Sequence, residues 1–123
     1  AISLPTGLIQ GGAAAVIASL WSVSDLSTMI LLTRFYDFWR TEGLEISQAL
    51  RYAQQWVRDT ENQQKYDYLK VTFQKLVDIQ RMSKQEVDEL LRSFLLQYIY
   101  SDGPQARSFA HPFHWAAFTY VGV

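Results

Sequence analysis

The spacing of apolar positions changes along the chain, and each change marks an element. Leu26, Met29, Ile30, Leu32, Phe35, Tyr36 and Trp39 leave only a narrow polar stripe of Thr33, Arg34, Asp37, Arg40 and Thr41. Apolar steps of three and four residues predict a helix, and so apolar a surface predicts that the helix is largely buried. Gly43 is the expected stop. The next segment is amphipathic, with Ile46, Ala49, Leu50, Ala53 and Val57 on one stripe and Arg51, Gln54, Gln55 and Arg58 on the other side. Residues 61–108 carry two more stripes. Tyr66, Leu69, Phe73, Leu76 and Val77 form the first, and Val87, Leu90, Leu91, Phe94, Leu95, Tyr98 and Ile99 the second. Between them, Ser83 and Glu86 have the spacing of a capping box. Two antiparallel helices joined by a short turn follow from this pattern, ended by Asp102-Gly103-Pro104.

Two other runs are continuously apolar. Ala14-Ala15-Val16-Ile17-Ala18-Ser19-Leu20 follows Gly11-Gly12, which would close a short helix over residues 4–11 with Pro5 in its first turn. A short run of small and β-branched residues after a glycine pair reads as a strand buried on both faces of a parallel sheet. From Trp115 to Val123 the chain is aromatic and β-branched, the pattern of a second buried strand. The expected fold class is therefore α/β, with about five helices and two sheet strands. Two such strands leave unpaired edges in apolar surroundings, where each orphaned polar group costs about 1–3 kcal/mol. More strands are expected from a longer parent chain or another subunit, so the 123 residues are expected to be the C-terminal piece of a larger domain.

Composition narrows the function. A length of 123 residues suits one domain, and 49% hydrophobic residues exclude disorder. Net charge of -1 gives no electrostatic footprint for nucleic acid or for an acidic membrane surface. The run from Leu8 to Trp21 is too polar and glycine-rich for a membrane span, and no basic segment marks a signal peptide. There is no cysteine, which agrees with a reducing, cytoplasmic setting and removes disulfides and thiolate chemistry from these residues. No cofactor is expected. Gly11-Gly12 is followed by alanines rather than the Lys and Ser or Thr of a phosphate loop, and His111 and His114 lack further ligands for zinc. No Gly-x-Ser-x-Gly elbow marks a nucleophile. Arg34, Arg40, Arg51 and Arg58, balanced by Asp37, Glu42 and Asp59, read as a solvated surface. The segment Trp21-Ser22-Val23-Ser24-Asp25 begins where a parallel strand ends, the place where open α/β sheets form ligand crevices. It either walls a pocket or places Trp21 in the core while Ser24 or Asp25 caps the next helix.

Gly11-Gly12-Ala13 with Val16-Ile17-Ala18-Ser19-Leu20-Trp21-Ser22-Val23-Ser24-Asp25 resembles a characteristic segment of CHAT domains. Phe35-Tyr36, Ala49-Leu50, Ala53-Gln54 and the closing His111-Pro112 with Trp115-Ala116-Ala117-Phe118 and Gly122 match the same family in order. These domains are similar to caspases and separases and often accompany tetratricopeptide repeats. The resemblance implies a caspase-like three-layer α/β/α sandwich, incomplete here, with a helical-hairpin insertion at about 61–108. It implies a cysteine peptidase whose catalytic histidine and cysteine lie upstream, so neither His111 nor His114 inherits a catalytic role. It also implies that Trp21, Ser22, Val23, Ser24 and Asp25 line the substrate pocket, with Asp25 facing a basic substrate side chain as a related loop does in separases. The implied partners are the N-terminal half of the same domain, a protein or peptide substrate and a tetratricopeptide-repeat region. The alternative is a non-catalytic interaction or scaffold module on a degenerate peptidase fold.

Overall fold

The computed structural model of the chain describes residues 2–4, 26–115 and 118–120. Its elements are β1 (Ile2–Leu4), α1 (Leu26–Tyr36), α2 (Ile46–Asp59), α3 (Asn62–Asp78), α4 (Lys84–Phe94) and β2 (Phe118–Tyr120). A π-helical turn, Asp37–Thr41, prolongs α1, and a second, Leu95–Ile99, prolongs α4 into a last helical turn at Tyr100–Asp102. The chain divides into two units, Ala1–Asp59 with Phe109–Val123, and Thr60–Ser108.

In the first unit α1 is buried on nearly every side, as its composition predicts. Met29, Ile30, Leu31, Leu32, Phe35 and Tyr36 are all buried, and so are the polar Ser27 and Thr33. Thr33 enters this environment by donating its hydroxyl to the Met29 carbonyl one turn back, at 2.6 Å. Gly43 ends the element with φ +77°, a left-handed conformation that a Cβ disfavours, and the Leu44 N–H closes back on the Phe38 carbonyl at 3.1 Å. Helix α2 buries Ala49, Leu50, Ala53 and Val57 of the predicted stripe, with Ile46 at its start half-buried, and packs against α1. Phe38 meets Tyr52 and Arg34 meets Trp56, so the two helices run antiparallel. Strands β1 and β2 pair in parallel, Ile2 with Phe118, Ser3 with Thr119 and Leu4 with Tyr120.

This architecture corrects the expected fold class. The described residues are overwhelmingly helical and form no three-layer α/β/α sandwich; extended pairing among them is confined to three residues on each side. Part of the reason lies at the C-terminal run. Pro112 starts a single 3-10 turn over Pro112–His114, and Trp115 ends it by donating its N–H to the Pro112 carbonyl at 3.2 Å. The Trp115 carbonyl accepts from Gln54 Nε2 at 2.8 Å and its indole N–H donates to the Ala110 carbonyl at 3.1 Å. Its polar groups are thus committed to a turn and to α2, and extended structure is seen only from Phe118. The other expected strand, Ala14 to Leu20, and the short helix over 4–11 lie outside the described residues.

The second unit is an antiparallel helical hairpin built on the predicted stripes. Helix α3 buries Leu69, Phe73 and Leu76, and α4 buries Val87, Leu90, Leu91 and Phe94, continued by Ile99. Phe94 lies edge-on to Tyr66 with centroids 6.3 Å apart and is tilted against Tyr98 at 5.2 Å. The capping box at the head of α4 is formed: the Glu86 N–H donates to Ser83 Oγ at 3.1 Å, and the Ser83 N–H donates to Glu86 Oε1 at 3.2 Å. Helix α3 ends on Gln80 at φ 60°. The Arg81 N–H reaches the Leu76 carbonyl and the Gln80 N–H reaches the Val77 carbonyl, the two bonds of a Schellman ending. Among the described residues no helix is long and apolar enough to cross a membrane.

Candidate functional site

The sequence places the pocket wall at Trp21, Ser22, Val23, Ser24 and Asp25. All five lie outside the described residues, which resume at Leu26, the first residue of α1. What can be built from the described side chains is the polar and aromatic surface that α1 and α2 present.

Arg34 is the centre of that surface. Its guanidinium lies 4.1 Å from the centroid of the Phe38 ring, one turn along α1, and 5.3 Å from that of Trp56 on α2. Asp37 and Glu42 each approach Arg34 Nη1 at 3.8 Å. Those ion pairs are long and partly solvated, worth about 0–1 kcal/mol each. A cation over an aromatic face contributes about 0.5–2 kcal/mol, more as it is desolvated. With its side chain only 20% exposed, Arg34 is held chiefly by the rings. This revises the expectation of a solvated Arg34; the signal available was the aromatic residue four positions on, which shares its helix face. Arg58, by contrast, forms an exposed pair with its neighbour, Nε to Asp59 Oδ1 at 2.7 Å, and that carboxylate holds the guanidinium in its charged form even more firmly than usual.

Behind Arg34, Phe35, Tyr36 and Trp39 form an aromatic cluster. Phe35 stacks on Trp39 at 5.9 Å, and Tyr36 lies edge-on to Phe35 at 5.3 Å. Burial pushes the Tyr36 phenol up to about 12, with the Arg40 charge opposing part of the rise. The folded state therefore holds the phenolic proton over a range in which the unfolded chain, titrating near 10, releases it. Its contribution to stability is complete below pH about 10 and is lost as pH rises through about 12. Unfolding curves recorded across that range should show Tyr36→Phe losing less stability with rising pH than the parent chain, and tyrosinate absorbance should show one phenol fewer ionising late.

The two histidines take structural positions. His111 Nδ1 accepts the Phe113 N–H at 3.0 Å, capping the 3-10 turn through the nitrogen that must then carry no proton. His114 lies edge-on to the buried Phe109 at 5.2 Å and to Phe113 at 5.5 Å. No group of three or more His, Cys, Asp or Glu among the described residues is arranged to hold a metal. Among the described residues, Asp67, Lys70, Val71, Gln74 and Lys75 on one face of α3 line a depression.

The CHAT domain family model matches residues 1–123. The chain belongs to the CHAT domain family. The match spans the Trp21–Asp25 segment as well as the closing residues. Comparison with curated proteins and with solved structures finds no match.

Proposed function

We propose that this CHAT chain lines the substrate pocket of a cysteine peptidase module, with Trp21, Ser22, Val23, Ser24 and Asp25 as the pocket wall. The family match over residues 1–123, which includes this segment, carries the reading. None of the 123 residues is a cysteine, so the thiolate nucleophile comes from outside them, together with the histidine that activates it. The reaction is acyl transfer: the thiolate attacks the scissile carbonyl, the histidine passes its proton to the leaving amine, and water releases the acyl group. Within that scheme Trp21 supplies an apolar wall and Asp25 a carboxylate for a basic side chain before the scissile bond. A tetratricopeptide-repeat region of the parent protein and a cytoplasmic setting complete the proposal.

Asp25→Ala in the parent protein tests the assignment. Cleavage after Arg or Lys should fall about 10- to 100-fold in kcat/KM, the loss of one charge-assisted contact, while cleavage after neutral residues is unchanged. Equal loss on all substrates, or no loss on any, removes Asp25 from the pocket. If the parent protein binds peptides through this segment but cleaves none, the module is a non-catalytic binding one.

A further inference from the structure

Asn62 is fully buried at the first position of α3, where the open N–H groups of a helix ordinarily turn to a cap or to water. Here the Gln64 N–H is capped by the Glu61 side chain, and the Glu61 N–H donates to Gln64 Oε1 at 2.9 Å, but the first two turn to the far end of the same unit. The Asn62 N–H donates to the Ala106 carbonyl at 2.8 Å and the Gln63 N–H to the Pro104 carbonyl at 2.9 Å. The Asn62 side chain repeats the pattern. Its Nδ2 donates to the Tyr98 carbonyl at 3.3 Å, the Gly103 carbonyl at 3.2 Å and Ser108 Oγ at 2.8 Å. Its Oδ1 accepts the Ser108 N–H at 3.3 Å. Ser108 Oγ in turn donates to the Asp102 carboxylate. Lys65, also fully buried, holds the opening residue by donating Nζ to both the carbonyl and Oγ1 of Thr60, each at 2.7 Å.

The Asn62 and Gln63 bonds join positions that are 36 to 46 residues apart in sequence. They tie the first turn of α3 to the end of the α4 extension and to the 103–108 segment, while the apolar stripes fill the hairpin between. A buried amide with both its oxygen and its nitrogen engaged is costly to open in part, because each group released inside the unit stays without water. The favourable ways to open are none or all.

From this we infer that Asn62 is the clasp of a conformational unit: residues 60–108 open and close cooperatively as one body, and the Asn62 network sets how often. Removing the clasp raises the open population of the whole hairpin, not of its first turn alone. Ser108 is its second half, and Ser108→Ala weakens it less, since one acceptor and one donor are lost while the Asn62 carbonyl bonds remain.

Amide hydrogen exchange on the full 123-residue chain reads this directly. In Asn62→Ala, exchange throughout α3 and α4 should accelerate together by roughly 10- to 100-fold, while the amides of α2 keep their rates. Ser108→Ala should give the same spatial pattern at smaller amplitude, and it carries the test if Asn62→Ala does not fold. Acceleration limited to residues 62–66 would reduce Asn62 to a local cap and overturn the inference. Equal acceleration of α2, α3 and α4 would overturn it as well, since opening would then be global, and so would unchanged rates.

Discussion

Replacing Phe94 by alanine should lower the stability of the Thr60–Ser108 unit by about 3–5 kcal/mol. The ring is fully buried and touches both Tyr66 and Tyr98, so truncation removes apolar burial, leaves a cavity between the two helices and forfeits two aromatic contacts of about 0.5–1.5 kcal/mol each. Because the hairpin has few layers, no neighbouring element can collapse into the gap without unstacking another stripe residue. The sequence offers a clean way to see it. All four tryptophans, at positions 21, 39, 56 and 115, lie outside residues 60–108, whereas far-ultraviolet dichroism reports on every helix. Denaturant titration of Phe94→Ala should show the helical signal losing an early fraction. Phe94→Leu, closer in volume, should lose about 1.5 kcal/mol or less. A Phe94→Ala curve that overlays the parent's in both signals would mean that the ring does not support the hairpin.

The second large effect belongs to α1. Leu31 is fully buried in a helix whose neighbouring positions are buried as well. Leu31→Asp places a carboxylate there with no solvent to reach. The lost apolar burial is worth about 2–5 kcal/mol, and the uncompensated charge adds about 3–5 kcal/mol or forces protonation. Such a sum is comparable to the whole stability of a domain, about 5–15 kcal/mol. The variant is expected to lose its cooperative tryptophan-fluorescence transition at neutral pH, with Leu31→Met retaining it. A cooperative transition in Leu31→Asp would show that this face of α1 reaches water.

How much of this was legible in the sequence depends on the range of each interaction. Gly43, the Ser83–Glu86 box and the stripes of α2, α3 and α4 are set by contacts within a few residues, and the sequence pattern carries them directly. The Asn62 clasp was not legible: its partners are dozens of positions away, and a lone asparagine between Glu61 and Gln63 looks like any exposed polar residue. Lys65 was hidden for a different reason: its partner Thr60 is only five residues away, but lysine is rarely buried and its composition gives no sign of it. Gln80 holds a left-handed conformation usually given to glycine, so composition alone put no helix ending there. The error at Trp115 was of a different kind. Its aromatic, β-branched surroundings satisfy the strand pattern, but Pro112 and the His111 cap impose a turn first, and the indole and carbonyl are then used by Ala110 and Gln54. The pocket role of Trp21–Asp25 was assigned through family resemblance alone; the match over the whole chain shows the family.

The bond between Asn62 and Ala106 has a further meaning for the chain as a polymer. Bringing the ends of a long loop together ordinarily costs entropy that grows with its length. Here the hairpin closes its own ends, so the rest of the chain meets residues 60–108 as it would meet a tight turn. The entropy of holding residues 60 and 108 near each other is thus met inside the unit, and the 2.8 Å contact at its base is where that loop is closed.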